Sequence, residues 1–240
     1  MKDREKYEKV MEDFINFFKE FDFEPSIRFI DTLSITLKQK GQNAAINYIV
    51  RTFELMDSPE YLAIKEKLKS TEIKYLLTEL SKLNINKNIN RRLSIYFGPA
   101  GTGKTSLAIK ESQGKVICCH SGMMPEDLLE DFDFNDVNGH PVYKPSALQE
   151  SMTSGTKVVL DEINLLPFET VRFLQTLTDG KPNIIFKNKV INIKDGFKII
   201  GTMNLKVGNQ IFPLPAPLVD RADELRRFSI TKEMLTDFLM

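Results

Sequence analysis

Leu93-Ser94-Ile95-Tyr96-Phe97-Gly98-Pro99-Ala100-Gly101-Thr102-Gly103-Lys104-Thr105-Ser106 decides the fold. Leu93–Phe97 is a short apolar run with β-strand character, and Lys104–Glu111 carries helical spacing closed by Gly114. Between them stands Gly-x-x-x-x-Gly-Lys-Thr, a pattern whose meaning depends on a strand before it and a helix after it; both are present. Gly101 and Gly103 let the backbone close around phosphate oxygens, because no Cβ intrudes. The amides that open the following helix point at the anion, and the helix dipole favours negative charge there. Lys104 supplies a point charge to β- and γ-phosphates, and the Thr105 hydroxyl completes a Mg²⁺ shell. The stretch Gly98, Pro99, Ala100, Gly101, Thr102, Gly103, Lys104, Thr105 and Ser106 is therefore expected to cradle ATP·Mg²⁺.

About 55 residues further on, Lys157-Val158-Val159-Leu160 runs into Asp161-Glu162. Carboxylates at the end of a buried strand are costly unless a cation answers them. Asp161 is assigned to Mg²⁺ through a water, and Glu162 to the general base that polarises an attacking water. Lys115–Cys119 and Phe197–Thr202 read as further strands, and Phe168–Leu177 as a helix. Strands alternating with helices imply a parallel sheet covered on both faces.

Upstream, apolar residues recur at helical spacing: Tyr7, Met11, Phe14, Phe18, Phe21; then Ile27, Ile30, Leu33, Leu37 with Gly41 as a stop; then Ile46, Ile49, Val50, Phe53. Ser58-Pro59-Glu60 reads as the start of a helix through Leu68, and Thr71 opens another with Ile73, Leu76, Leu77 and Leu80. The Asn-rich connector Asn84–Asn90 marks a boundary. The expected organisation is a helical N-terminal domain over 1–88 and an α/β core over 89–240.

The bulk properties are those of a globular chain. Of 240 residues, 33 are Lys or Arg and 33 are Asp or Glu, so net charge alone argues for neither a nucleic-acid nor a membrane-surface partner. The two cysteines, Cys118 and Cys119, are adjacent on a strand and face opposite ways, which disfavours a disulfide between them and fits a reducing compartment. The charged N-terminus has no apolar signal segment, and no apolar run spans a bilayer, so a cytoplasmic location without membrane contact is expected.

With both motifs in place, the chain resembles the AAA+ ATPases, and within them the dynein-related branch that includes MoxR-, CobS- and McrB-like proteins. Gly98–Thr105, Leu160-Asp161-Glu162-Ile163-Asn164 and Gly201-Thr202-Met203-Asn204 carry the likeness. The resemblance implies that Asn204 holds the lytic water. Leu214–Arg221 resembles the segment bearing the arginine finger, which makes Arg221 the residue acting on a neighbouring subunit's ATP. Arg226 and Arg227 are nearby alternatives, and Ala222 stands where the family has Phe. Residues 131–143, with a turn at Asn138-Gly139, correspond to the branch's helix-2 insertion. Ile184–Phe186 and Val190–Ile193 correspond to its presensor hairpin, which in the family faces the central pore. The resemblance covers roughly residues 91–235, and the family's helical lid is absent or truncated. It implies hydrolysis of ATP by a self-assembled ring, a hexamer in the family, that remodels a protein client, with a von Willebrand-type adaptor as a possible partner. A nucleic-acid motor or loader is the alternative, with Lys181, Lys187, Lys189 and Lys194 as its suggestive feature. A nucleotide-gated binding module with little turnover is the third.

Overall fold

A computed structural model describes residues 2–82, 91–133, 142–205 and 213–230, the side chains of residues 2–7 aside. The connector at 83–90, the turn at Asn138-Gly139 and the segment 231–240 lie outside the described residues. The chain divides into two compact units, Met1–Ile89 and Asn90–Met240.

The first unit is helical: α1 (Lys2–Lys19), α2 (Ile27–Lys40), α3 (Gln42–Leu55), α4 (Tyr61–Lys67) and α5 (Thr71–Lys82). Local chemistry sets the ends. Ser26 Oγ accepts the Phe29 amide at 3.0 Å to open α2, and Gly41 at φ 81° closes it. The helices bury an aromatic centre. Phe18, fully buried, lies 4.9 Å from Phe14, 5.6 Å from Phe23, 5.6 Å from Phe29 and 6.2 Å from Phe53. Ile27 departs from its expected stripe. It stands at the first residue of α2 and is 69% exposed.

The second unit contains β1 (Leu93–Gly98), α6 (Lys104–Glu111), β2 (Val116–Cys118), α7 (Pro125–Leu129), β3 (Glu130–Asp133), β4 (Val142–Pro145), α8 (Ala147–Ser154), β5 (Lys157–Asp161), α9 (Phe168–Leu177), β6 (Asn183–Phe186), β7 (Lys189–Asn192), β8 (Lys198–Asn204), α10 (Ala216–Val219) and β9 (Ala222–Arg227). Five strands form one sheet in the order β2-β5-β8-β1-β9, every pairing parallel. The central strands are apolar runs buried on both faces: Val158, Val159 and Leu160 of β5 and Ile199 of β8 are fully covered. On one face, Tyr96, Ala108, Val159 and Ile200 form a core cluster with Leu107 and Phe228 packed against it. This is the α/β P-loop sheet expected from the sequence. The strand expected over Glu224–Ser229 is displaced to Ala222–Arg227, where it pairs with β1.

Two antiparallel hairpins stand apart from the main sheet, β3–β4 and β6–β7. The second turns at Lys187-Asn188, both with positive φ (45° and 62°), the signature of the tight turn that matches strand twist.

Candidate functional site

Parallel strands deliver their C-terminal ends to one edge of a sheet, and ligands of open α/β sheets bind there. Three motif segments meet at that edge. Gly98 ends β1 opposite Asn204 of β8, its register partner, and Leu160 of β5 is paired with Gly201 of β8. Asp161, Glu162, Asn204 and the phosphate loop are thus neighbours although they lie far apart in sequence.

The loop is braced internally. Thr102 Oγ1 donates to the Pro99 carbonyl at 2.9 Å, and Gly103, at φ 79°, adopts the left-handed conformation that turns the chain into α6. Gly98, Thr102 and Lys104 are buried; Ala100, Gly101, Gly103 and Ser106 are exposed, and Pro99 and Thr105 are half-buried. Lys104 Nζ donates to the Pro99 carbonyl at 2.6 Å and to Thr102 Oγ1 at 3.4 Å. Burial pushes its pKa below the ordinary value, while the Asp161 carboxylate opposes that shift. Among the described residues this buried ammonium has no ion pair, only neutral oxygens, which fits an anion arriving from outside.

Thr105 Oγ1 donates to Asp161 Oδ1 at 2.7 Å, joining the head of α6 to the end of β5. A hydroxyl and a carboxylate held together supply hard oxygen donors of the kind Mg²⁺ takes. Among the described residues no cluster of three or more His, Cys, Asp and Glu side chains offers a competing metal site.

Glu162 follows β5 in a left-handed conformation, φ 56° and ψ 45°, unusual for a residue with a Cβ. Its side chain is exposed, and Asn204 Nδ2 lies 3.4 Å from Glu162 Oε1. Thr202 is a residue to which the sequence reading gave no role. Its hydroxyl donates to Asp161 Oδ1 and accepts the Glu162 amide at 3.2 Å. The period-two spacing of Thr202 and Asn204 along β8 is the signal that could have found it.

Arg221 sits between α10 and β9. Its Nε donates to Asp179 Oδ1 at 3.0 Å, and its Nη1 to the Pro217 carbonyl. Arg226 lies instead over the rings of Tyr96 and Phe228 and beside Glu111. Cys119 is a buried free thiol pushed up to about 12, first by burial. His120 Nδ1 accepts the Gly122 amide at 3.2 Å, a local turn contact.

A family model described as the AAA domain of the dynein-related subfamily matches residues 94–222, which span the phosphate loop, Asp161-Glu162, Asn204 and Arg221. The chain belongs to this family. The chain is also similar to the Lon protease of Geobacter metallireducens, 24% identical over 194 residues, covering 77% of this chain and 22% of the protease. The chain therefore spans about a fifth of that relative's length. Among solved structures, a provisional ATPase from Cytophaga hutchinsonii is similar over all of this chain and 58% of its own, at 15% identity and a TM-score of 0.47. No helix among the described residues is long and apolar enough to cross a membrane.

Proposed function

We propose that this AAA domain binds ATP with Mg²⁺, hydrolyses it, and works in a self-assembled ring that remodels a protein client. The carrying observation is the Thr105–Asp161 hydrogen bond, which unites the phosphate loop with the acidic strand end 56 residues away. Lys104 would leave the Pro99 carbonyl for the β- and γ-phosphate oxygens. Thr105 and Asp161 would hold Mg²⁺, and the ion would neutralise charge on those oxygens. Asn204 orients a water, and Glu162 accepts its proton as the water oxygen bonds to the γ-phosphorus. The bond from that phosphorus to the β–γ bridging oxygen breaks, giving ADP and phosphate. Arg221 is the candidate that would act on a neighbouring subunit's nucleotide, which requires that it part from Asp179.

The motifs Leu160–Asn164 and Gly201–Asn204 favour the MoxR/CobS/McrB-like branch within the family. For the client, the two hairpins favour polypeptide over nucleic acid. Lys187, one of the four lysines that suggest a nucleic-acid contact, is paired with Glu130 and lies over the rings of Phe186 and Tyr143. The exposed hydrophobics beside it come as cross-strand pairs: Ile185 with Val190, and Phe132 with Tyr143. Apolar pairs of this kind suit an unfolded polypeptide segment. The likeness to a protease points the same way.

Titration with a fluorescent ATP analogue tests the nucleotide part. Wild type should bind, more tightly with Mg²⁺, and Lys104→Ala should not; equal binding by both would end the proposal. A crosslinkable residue at Ile185 should capture an unfolded polypeptide rather than single-stranded DNA.

A further inference from the structure

Glu162 poses a physical problem. A residue with a Cβ in the left-handed region is strained and persists only where its surroundings hold it. Its φ is 56° at the end of β5, with the side chain exposed at the edge where the motif segments meet. The hold comes from β8, the neighbouring strand. Thr202 and Asn204 are two residues apart on β8, so their side chains leave the same face. Asn204 Nδ2 meets the carboxylate of Glu162 at 3.4 Å, while Thr202 Oγ1 takes the Glu162 backbone amide at 3.2 Å. One strand face therefore grips both the side chain and the main chain of the same residue.

The same hydroxyl has a second task. It donates to Asp161 Oδ1, the oxygen that also receives Thr105 Oγ1 at 2.7 Å. Two donors on one carboxylate oxygen fix the plane of the Asp161 carboxyl and leave Oδ2 without a hydrogen bond among the described residues. Thr202 is 2% exposed and sits in a strand whose neighbours Ile199, Ile200 and Met203 are apolar. Valine would suit that position sterically and as a strand former. The hydroxyl is therefore not explained by packing.

We infer that Thr202 is a positioning residue for ATP hydrolysis, its single hydroxyl setting the carboxylate of Asp161 and the backbone of Glu162 at once. The inference rests on the ATPase reading. It assigns Thr202 no contact with nucleotide; it acts through the two acids. Groups that orient ligands from behind in this way typically change metal affinity or activity about 10–100-fold when lost.

The test uses Thr202→Val and Thr202→Ser in the full chain. In nucleotide-free protein, exchange of the Glu162 amide, read by NMR, should be faster in Thr202→Val and near wild type in Thr202→Ser. In ATP titrations without Mg²⁺, both variants should match wild type. With Mg²⁺, Thr202→Val should lose about 10-fold or more of the gain in affinity and of kcat, with Thr202→Ser restoring both. Thermal melting of each variant keeps a general loss of fold distinct from this pattern. Unchanged Glu162 exchange and unchanged Mg²⁺ dependence in Thr202→Val would overturn the inference, as would equal damage in Val and Ser. If wild type binds no ATP, the ATPase reading fails, while the exchange measurement still decides whether Thr202 holds Glu162.

Discussion

A Cβ placed on Gly98 would stand 2.3 Å from the carbonyl oxygen of Phe228. The end of β9 thus closes onto the first glycine of the phosphate loop, and the Phe228 amide donates to the Phe97 carbonyl at 2.7 Å. The contact is backbone against backbone, which no rotamer change relieves. Gly98→Ala should lower stability by about 1–3 kcal/mol, as overpacking does, and weaken ATP binding because the loop must shift. Urea unfolding and nucleotide titration check both.

Lys104 carries an opposite expectation for stability. Its pKa is lowered by burial in the folded protein, so between that value and the unfolded value of 10.5 the unfolded chain binds more protons. Its charge therefore costs stability at neutral pH, and that cost fades as pH rises through the folded pKa toward 10.5. Lys104→Met should melt no lower than wild type at pH 7 while losing ATP binding. The difference in melting temperature should narrow in alkaline buffer. Differential scanning calorimetry across pH reads this.

Arg221 and Glu162 are assigned to different subunits of one active interface. Arg221→Ala and Glu162→Gln should each be nearly inactive alone. Mixed, they should regain activity, since some interfaces pair the intact Glu162 of one chain with the intact Arg221 of another. Absence of recovery in the mixture would remove Arg221 from the active interface. Asp179→Asn, which weakens the 3.0 Å partner of Arg221, should raise activity in the same assay.

In the helical unit, Phe18 is the hub of the aromatic centre, in ring contact with Phe14, Phe17, Phe23, Phe29 and Phe53. Phe18→Ala should destabilise that unit by about 3–5 kcal/mol, measured by chemical denaturation followed at the helical signal.

What could be read from the sequence was what local chemistry encodes. The phosphate loop announces itself because its glycines, lysine and threonine are contiguous, and α6 has the bounds expected of it, Lys104–Glu111. The acids 161 and 162 follow from the apolar run that delivers them. The order β2-β5-β8-β1-β9 was not legible, since strand neighbours are set by packing between distant segments. The same holds for Thr202, whose partners lie 40 and 41 residues away, and for Asp179, 42 residues from Arg221. Helix α8 does carry ordinary boundary signals: Ser146 caps it by accepting the Gln149 amide, and Gly155 is left-handed at its end.

The most direct measurement is steady-state ATPase activity of wild type and Glu162→Gln across a range of protein concentrations. A ring with an active site completed between subunits requires that wild-type specific activity rise with concentration, and that Glu162→Gln bind ATP without turning it over. Wild type that binds ATP yet shows no turnover at any concentration would contradict hydrolysis by this chain assembled with itself.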